Sequence, residues 1–138
     1  MLELRRIEPV RPASSGPHFS DAEKLAMQKA MVNLSDRWGL TSEQAAILLG
    51  GISTRTFGRW KTGDFGDVSV DLAARLSNLM GIHKALRLLF KDTHRAYGWI
   101  KRSNAFFGGK SALNVMLGGN LTDIMRVRRL LDSMRAAW

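Results

Sequence analysis

Residues 41–61 read TSEQAAILLGGISTRTFGRWK, and they contain the start and stop signals of two helices. Thr41 and Gln44 have the spacing of a capping box, so a helix is predicted to begin there. The pair Gly50-Gly51 predicts the end of that helix, because glycine adopts the positive φ of a tight turn without steric cost. Ser53 then has the position of an N-cap for a second helix. The stretch is therefore predicted to form two short helices joined by a glycine turn.

The side chains of these two helices match the outline of a helix-turn-helix. Ala45 and Ala46 are small enough for two helices to approach closely. Phe57 and Trp60 are three residues apart in the second helix and are predicted to face inward, which leaves the opposite face open to a DNA groove. We expect contacts with base edges or phosphates from Ser53, Thr54, Arg55, Thr56, Arg59 and Lys61.

Two glycines depart from the usual form of this motif. Gly50 lengthens the turn by one residue, and Gly58 lies inside the second helix, where glycine costs about 1 kcal/mol relative to alanine. Gly58 either allows a DNA backbone to approach closely or marks a helix no longer used for reading DNA. An ordinary helix pair whose arginines are simply solvated is the alternative interpretation.

Helical patterns continue on both sides of this stretch, and no alternating apolar run predicts a strand. Upstream, Ser20 and Glu23 have capping-box spacing, and the helix they begin is expected to end at Gly39. Downstream, the apolar positions of 69–90 keep helical spacing, and we expect a break or kink near Gly81. Three further helices are predicted, over 93–102, 111–117 and 121–136.

The predicted fold class is all-α, with three parts. Residues 1–19 contain all three prolines of the chain, and we expect a flexible arm there. Residues 20–66 are predicted to form the helix-turn-helix bundle. Residues 67–138 are predicted to form a second, compact helical module.

Charge is distributed unevenly between the two halves. The formal net charge is +9 and the sequence pI is near 10.9, which indicates an anionic partner. Residues 1–66 hold nine Lys/Arg and seven Asp/Glu, whereas residues 67–138 hold twelve and five. The cationic excess therefore lies mostly outside the segment predicted to bind DNA.

Several classes of function are not expected from this sequence. There is no cysteine, no apolar run near the roughly 20 residues of a membrane span, and no signal-peptide core at the N-terminus, so we predict a cytoplasmic protein without membrane contact. His18, His83 and His94 lack metal-ligand spacing, and no nucleophile motif is present. We therefore expect no enzymatic activity, metal, cofactor or small-molecule substrate.

Residues 98–113 read GWIKRSNAFFGGKSAL and contain the end of an apparent P-loop, Gly-Gly-Lys-Ser. A P-loop needs a glycine five positions before Gly109, where this chain has Asn104, and it needs a preceding buried strand. Nucleotide binding is therefore rejected. We interpret Gly108-Gly109 as a turn and Ser111 as the N-cap of the next helix.

The order of aromatic residues, glycines and cations in this region, together with Trp138, resembles the toxin-binding region of Xre/MbcA/ParS antitoxins, partners of RES-domain toxins. The resemblance covers Leu72–Trp138, and residues 52–60 resemble a recognition helix of the Xre type. It implies toxin contacts from Trp99, Lys101, Arg102, Asn104, Phe106, Gly108, Gly109, Lys110, Ser111, Arg128 and Trp138.

The resemblance also implies a function and a set of partners. The expected protein is an antitoxin that occludes the active site of a RES-domain toxin, an enzyme that consumes NAD or ADP-ribosylates a target. It is expected to bind its own promoter DNA as an autorepressor, to form a homodimer, and to form a larger hetero-oligomer with the toxin.

The sequence leaves two alternatives open. Trp99, Phe106 and Phe107 can belong to the core instead of a contact surface, and the arginines of 126–129 can form a solvated cationic face. The whole chain can also be a stand-alone helix-turn-helix transcriptional regulator whose C-terminal half is a dimerisation or effector domain.

Overall fold

The structure, a computed structural model, describes residues 18–137. The predicted arm therefore lies, up to residue 17, outside the described residues, and so does Trp138. Between residues 18 and 137 regular structure is helical, apart from one isolated bridge between Ser103 and Ser111, and the all-α prediction is confirmed. The helices are α1 (Asp21–Arg37), α2 (Ser42–Leu48), α3 (Thr54–Lys61), α4 (Val70–Leu89), α5 (Thr93–Trp99), a 3-10 turn (Ala105–Phe107), α6 (Ala112–Met116) and α7 (Leu121–Ala136).

Side-chain caps set the starts of the helices at the predicted positions. The Glu23 N–H donates to Ser20 Oγ at 3.1 Å, and the Ser20 N–H donates to Glu23 Oε1 at 3.0 Å. These bonds with Ser20 hold the pKa of Glu23 below its usual value. Thr41 and Gln44 close the same reciprocal box at the start of α2. The predicted capping boxes are confirmed, and α1 and α2 begin because their free N–H groups are satisfied locally.

Helix α4 lies at the centre of the fold and packs against α1, α5 and α7. It has the length of the helical pattern seen in the sequence, and its inward side chains include the fully buried Leu76, Leu79, Ile82, Ala85 and Leu86. Removing a leucine or isoleucine side chain from water contributes roughly 1.5–3 kcal/mol. The core is therefore organised around α4, and both the helix-turn-helix and the C-terminal helices attach to it.

The expected break near Gly81 was wrong, because α4 continues through this residue to Leu89. A Cβ atom at Gly81 would lie 2.5 Å from Cζ of Arg128 on α7. The Arg128 guanidinium also donates to Oδ1 of Asn78 at 3.1 Å. Glycine at this position makes room for a side chain of the neighbouring helix, and α4 is not interrupted there.

A buried arginine on α4 connects the two halves of the protein. Arg75 is 8% exposed, and its Nε forms an ion pair with Asp71 Oδ2 at 2.9 Å. Its Nη1 donates to the carbonyl oxygen of Gly119 at 2.8 Å and lies 3.5 Å from that of Leu48. Leu48 ends α2 and Gly119 precedes α7, so one guanidinium holds the turn of the helix-turn-helix and the α6–α7 turn against α4.

The unusual Gly50-Gly51 pair has a structural reason in this arginine. Both glycines have positive φ, +88° and +87°. A Cβ at Gly50 would lie 2.8 Å from Nε of Arg75, whereas a Cβ at Gly51 would meet no atom within 4 Å. Gly50 is therefore required twice, once for its backbone conformation and once for the space it leaves to the guanidinium.

We predict that Gly50→Ala destabilises the protein more than Gly51→Ala does. Both variants are strained by the positive φ, a cost of about 1 kcal/mol. Gly50→Ala additionally displaces the buried Arg75 from its partners, which adds roughly 1–3 kcal/mol. The free energy of unfolding, measured by urea titration with Gly51→Ala as the matched control, checks this. Equal losses in the two variants would contradict the packing role of Gly50.

Candidate functional site

The predicted DNA-reading helix has its inward and outward faces as expected. Phe57 is fully buried and Trp60 is 3% exposed, with ring centroids 5.9 Å apart. Opposite them, Thr54, Arg55 and Arg59 are exposed. Within the described chain, no acidic side chain lies within ion-pair distance of either arginine, so both guanidinium groups are available to phosphates or base edges.

The other three predicted DNA contacts have structural partners. The Thr56 N–H donates to Ser53 Oγ at 3.0 Å, which confirms Ser53 as the N-cap of α3, and the two hydroxyl oxygens are 2.9 Å apart. Lys61 Nζ donates to Ser42 Oγ on α2 at 3.0 Å and lies 5.2 Å from the centroid of the Phe57 ring. Ser53, Thr56 and Lys61 therefore help to position α3, and their contact with DNA stays a prediction.

Gly58 is not explained by packing inside the protein. It has an ordinary helical conformation, and a Cβ at this position would meet no atom within 4 Å. An alanine would fit here and would raise the helix propensity. The glycine therefore leaves open space on the surface of α3, beside the exposed arginines.

In the C-terminal half, residues 103–111 form a closed loop whose two ends are hydrogen-bonded to each other. The Asn104 N–H donates to the Lys110 carbonyl at 3.1 Å, and the Gly109 N–H donates to the Asn104 carbonyl at 3.0 Å. The Ser103 hydroxyl donates to the Gly109 carbonyl at 2.6 Å. We call residues 103–111 the bridged loop. Its shape is fixed by these bonds and does not depend on a ligand.

The glycines and Ser111 act in the bridged loop as the sequence predicted. Gly108 and Gly109 have φ of +62° and +89°, so they form the turn. Ser111 is 8% exposed, and its Oγ accepts from the Asn114 N–H at 3.0 Å, which makes it the N-cap of α6. The structure thus has a turn and a helix cap where the Gly-Gly-Lys-Ser sequence resembled a P-loop.

Two adjacent phenylalanines of the bridged loop have opposite environments. Phe107 is 5% exposed and packs in the core, with the Arg126 guanidinium carbon 5.3 Å from its ring centroid. Phe106 is 75% exposed, although a large aromatic side chain gains free energy from burial. The open question of core or contact is therefore answered differently for the two residues: Phe107 belongs to the core, and Phe106 is offered to solvent.

Three exposed cations lie in the bridged loop or directly before it in the chain. Lys101, Arg102 and Lys110 are exposed, and among residues 18–137 none of them has an acidic side chain within ion-pair distance. The Lys101 ammonium lies beside Gly39 in the α1–α2 turn, 2.9 Å from where a Cβ of that glycine would be. Residues 101–110 therefore expose an aromatic ring and three cations within a short segment, a combination suited to a partner with an apolar pocket and an acidic rim.

Three further predicted toxin contacts are half-buried and have partners inside the protein. Trp99 is half-buried and packs against the core, and Asn104 is half-buried with its Oδ1 accepting from the Phe106 N–H at 2.9 Å. Arg128 is half-buried beside Asn78 and lies 3.8 Å from Asp132. Sequence reasoning missed Ser103 and Arg126, which close and support the loop. No signal in the sequence marks Ser103, because its bond to the Gly109 carbonyl depends on how the loop closes.

The histidines do not form a metal site in the part of the chain that is described. No group of three His, Cys, Asp or Glu side chains is close enough there to hold an ion. His83 on α4 stacks parallel to Tyr97 with centroids 5.8 Å apart, and burial, helped by Arg87 and Arg37, lowers the pKa of its imidazole. None of the helices between residues 18 and 137 combines the length and apolar character of a membrane span.

Comparison with known families matches these two surfaces to two domains. The family model for the antitoxin Xre-like helix-turn-helix domain matches residues 19–81, which include α3. The family model for the antitoxin Xre/MbcA/ParS C-terminal toxin-binding domain matches residues 85–136, which include the bridged loop. The chain belongs to the Xre/MbcA/ParS antitoxin family. The antitoxin thus combines a helix-turn-helix domain with a toxin-binding domain, and a toxin is its partner.

A full-length relative supports this organisation. The antitoxin is 43% identical over 128 residues to an uncharacterized protein, y4oB, of Sinorhizobium fredii (strain NBRC 101917 / NGR234). The similarity covers 93% of the antitoxin and 97% of that relative, so both modules are shared as one unit. Every predicted toxin contact except Trp138 falls within the matched toxin-binding domain.

We predict that Phe107→Ala destabilises the protein and that Phe106→Ala leaves its stability almost unchanged. Phe107→Ala leaves a core cavity and should lower the free energy of unfolding by about 3 kcal/mol. Phe106→Ala should change it by less than about 0.5 kcal/mol, because the ring is solvated already. Urea unfolding of both variants is the measurement. A large loss for Phe106→Ala would show that its ring is buried in solution and is not offered to a partner.

Proposed function

We propose that the antitoxin inhibits a RES-domain toxin by covering the toxin's NAD site with the bridged loop. The observation that carries this proposal is the solvated ring of Phe106 on a loop whose ends are hydrogen-bonded together. A loop that already has its bound shape loses little conformational entropy on binding. An exposed aromatic ring on such a loop is typical of a binding hot spot.

The charges around the loop support the same mechanism. Lys101, Arg102 and Lys110 attract acidic residues on the toxin and speed association. The Asn104 side chain and the Gly108 carbonyl supply polar contacts of the kind that a pyrophosphate-binding pocket recognises. The antitoxin acts by binding and has no catalytic role of its own in this proposal. It works in the cytoplasm as a homodimer and forms a larger hetero-oligomer with the toxin.

We predict that Phe106→Ala weakens neutralisation of the toxin while the fold stays intact. The test is co-expression with the neighbouring gene, with growth rescue and intact cellular NAD as readouts. Losing a central aromatic contact should weaken the complex by about 2 kcal/mol, roughly thirtyfold. Ile47→Ala is the matched control, because Ile47 is 40% exposed but lies on α2, outside the toxin-binding domain.

Trp138 lies outside the described residues and is tested in the same assay. We expect a chain ending at Ala137 to neutralise less well, because tryptophan is a strong hot-spot residue. Full neutralisation by that truncation would remove Trp138 from the mechanism. Unchanged neutralisation by Phe106→Ala would count against the bridged loop as the toxin contact. Unchanged NAD during toxin poisoning would count against a NAD-consuming partner and leave ADP-ribosylation of a target to be tested.

We also propose that the antitoxin represses its own promoter through α3. Arg55 and Arg59 are one helical turn apart, exposed, and without an acidic partner among the described residues. The open space at Gly58 lies on the same helix and lets a DNA backbone approach closely. The structural positions of Ser53 and Thr56 at the start of α3 are compatible with this, because recognition helices contact bases from their N-terminal residues.

We predict that Arg55→Ala and Arg59→Ala each weaken binding to the antitoxin's own promoter by about 1–3 kcal/mol. Arg87→Ala is the matched control, since Arg87 is also exposed and its removal changes the net charge equally. Fluorescence anisotropy at fixed salt, with a scrambled duplex for comparison, measures the effect. Equal losses in all three variants would indicate nonspecific attraction instead of reading by α3. Specific promoter binding without any toxin partner would favour the stand-alone regulator.

A further inference from the structure

The ends of α1 and α5 meet at a pair of exposed cations that come from different matched domains. Arg37, the last residue of α1, donates from Nη1 to the Tyr97 hydroxyl at 3.3 Å. Lys101 follows Tyr97 by four residues, and its ammonium lies beside Gly39, two residues after Arg37. Two contacts therefore join the same two segments, and we call Arg37, Gly39, Tyr97 and Lys101 the cationic junction.

The two cations of the junction keep most of their donors available. Both are exposed, and neither the adjacent Asp36 nor any other carboxylate of residues 18–137 lies within ion-pair distance of them. A guanidinium has five N–H donors, and Arg37 uses one of its nitrogens for the bond to Tyr97. The dipole of α1 favours cations near its end. That effect explains why Arg37 and Lys101 gather there, and it leaves their donors open to an external anion.

The junction lies directly before the helix-turn-helix pair in the chain. Gly39 and Ser42 are three residues apart, so at most about 11 Å separates their Cα atoms. Ser42 begins α2, and its Oγ accepts from the ammonium of Lys61, the last residue of α3, at 3.0 Å. The junction is therefore close to one end of α3, the helix that is proposed to read DNA.

The docking geometry of a helix-turn-helix brings a DNA backbone to this place. When the second helix of the motif lies in the major groove, the first helix crosses the backbone. Here the first helix is α2, and the α1–α2 turn leads into it. The major groove is about 12 Å wide, so the backbone at its border lies within reach of long side chains at the junction. A DNA phosphate is therefore the anion expected at Arg37 and Lys101.

A carboxylate of the toxin is the alternative anion, and the placement of the junction argues against it. Arg37 lies in the matched helix-turn-helix domain and outside the matched toxin-binding domain. The Lys101 ammonium lies against the turn before α2, whereas the ring of Phe106 is in the bridged loop. Residues 1–66 hold only nine Lys/Arg against seven Asp/Glu, so binding to DNA gains from a cation that the other half supplies.

We propose that the cationic junction binds the DNA backbone next to α3, so that the toxin-binding domain supplies a phosphate contact through Lys101. The Arg37 guanidinium and the Lys101 ammonium each donate to phosphate oxygens, and the Tyr97 hydroxyl positions the guanidinium. Phosphate contacts fix the orientation of a protein on DNA and carry no sequence information themselves. The proposal rests on the proposed docking of α3 on DNA, and it does not require promoter recognition or toxin inhibition.

The test is the salt dependence of DNA binding by the full chain, measured by fluorescence anisotropy on a promoter duplex and on a scrambled duplex. Each phosphate contact contributes about 0.9 to the slope of log K against log salt concentration. Arg37→Ala and Lys101→Ala should each reduce the slope by about this amount. They should weaken binding to both duplexes equally, roughly fivefold to tenfold at about 0.1 M salt. Arg37→Lys keeps the charge and should keep the slope.

Three control variants separate this contact from net charge and from folding. Arg129→Ala and Lys91→Ala each remove one exposed cation from another part of the surface, and they should leave the slope unchanged. Tyr97→Phe removes the bond to Arg37 and keeps both cations, so it should also keep the slope. Urea unfolding of every variant shows that the fold is retained.

An unchanged slope in Arg37→Ala or in Lys101→Ala would overturn the proposal. Equal reductions in Arg129→Ala and Lys91→Ala would overturn it too, because they would show a general effect of net charge. A Lys101→Ala variant with an unchanged slope and weaker neutralisation would assign Lys101 to the toxin instead. No binding to either duplex at about 50 mM salt would overturn the proposal together with autorepression. Equal binding to both duplexes, with the expected losses of slope, would reject autorepression and support the phosphate contact.

Discussion

The Arg75 guanidinium is the interaction on which the arrangement of this antitoxin depends. A charged group that is 8% exposed must find partners inside the protein, because an uncompensated buried charge is strongly unfavourable. Its partners are the Asp71 carboxylate on its own helix and two backbone carbonyls from distant segments. Satisfying one side chain therefore fixes the turn of the helix-turn-helix and the start of α7 relative to α4.

The bridged loop is likewise held in place by the pairing of its polar groups. Its backbone groups are paired with each other, and Ser111 both closes the loop opposite Ser103 and caps α6. The loop is thereby attached to a helix whose side chains Leu113 and Met116 lie in the core. Phe107 is buried in the core and anchors the turn, and its neighbour Phe106 is left exposed. The tip of the loop, which is proposed to contact the toxin, is thus held firmly against the core.

Local signals in the sequence predicted most of the helix boundaries. The caps at Ser20, Thr41, Ser53 and Ser111 act within three or four residues, so their spacing alone identifies them. The fold class and the family also followed from the sequence. The role of Gly81 could not be predicted from the sequence, because a glycine inside a helix is compatible both with a bend and with the close approach of a neighbouring side chain. Only the position of Arg128 shows that a side chain approaches here.

The candidate site was predicted in outline, and its details depend on contacts that are distant in the chain. Nothing in the pair Phe106-Phe107 indicates which ring is buried, since that depends on how the loop closes and on Arg126 of α7. Lys61 belonged to the predicted DNA contacts, and its bond to Ser42 shows a positioning role that spans 19 residues. The domain division at residue 66, the toxin contacts and the DNA contacts stay predictions.

The continuity of helix α4 restricts how proteins of this family can evolve. The matched helix-turn-helix domain ends at residue 81 and the matched toxin-binding domain begins at residue 85, so the junction falls inside one continuous helix. The two halves are functional modules that share a single core, and they are not independent domains joined by a flexible linker. A recombination that exchanged one half for that of a distant relative would have to preserve both buried faces of α4 at once. New pairings of promoter and toxin are therefore more accessible through substitutions on the surface than through exchange of whole domains.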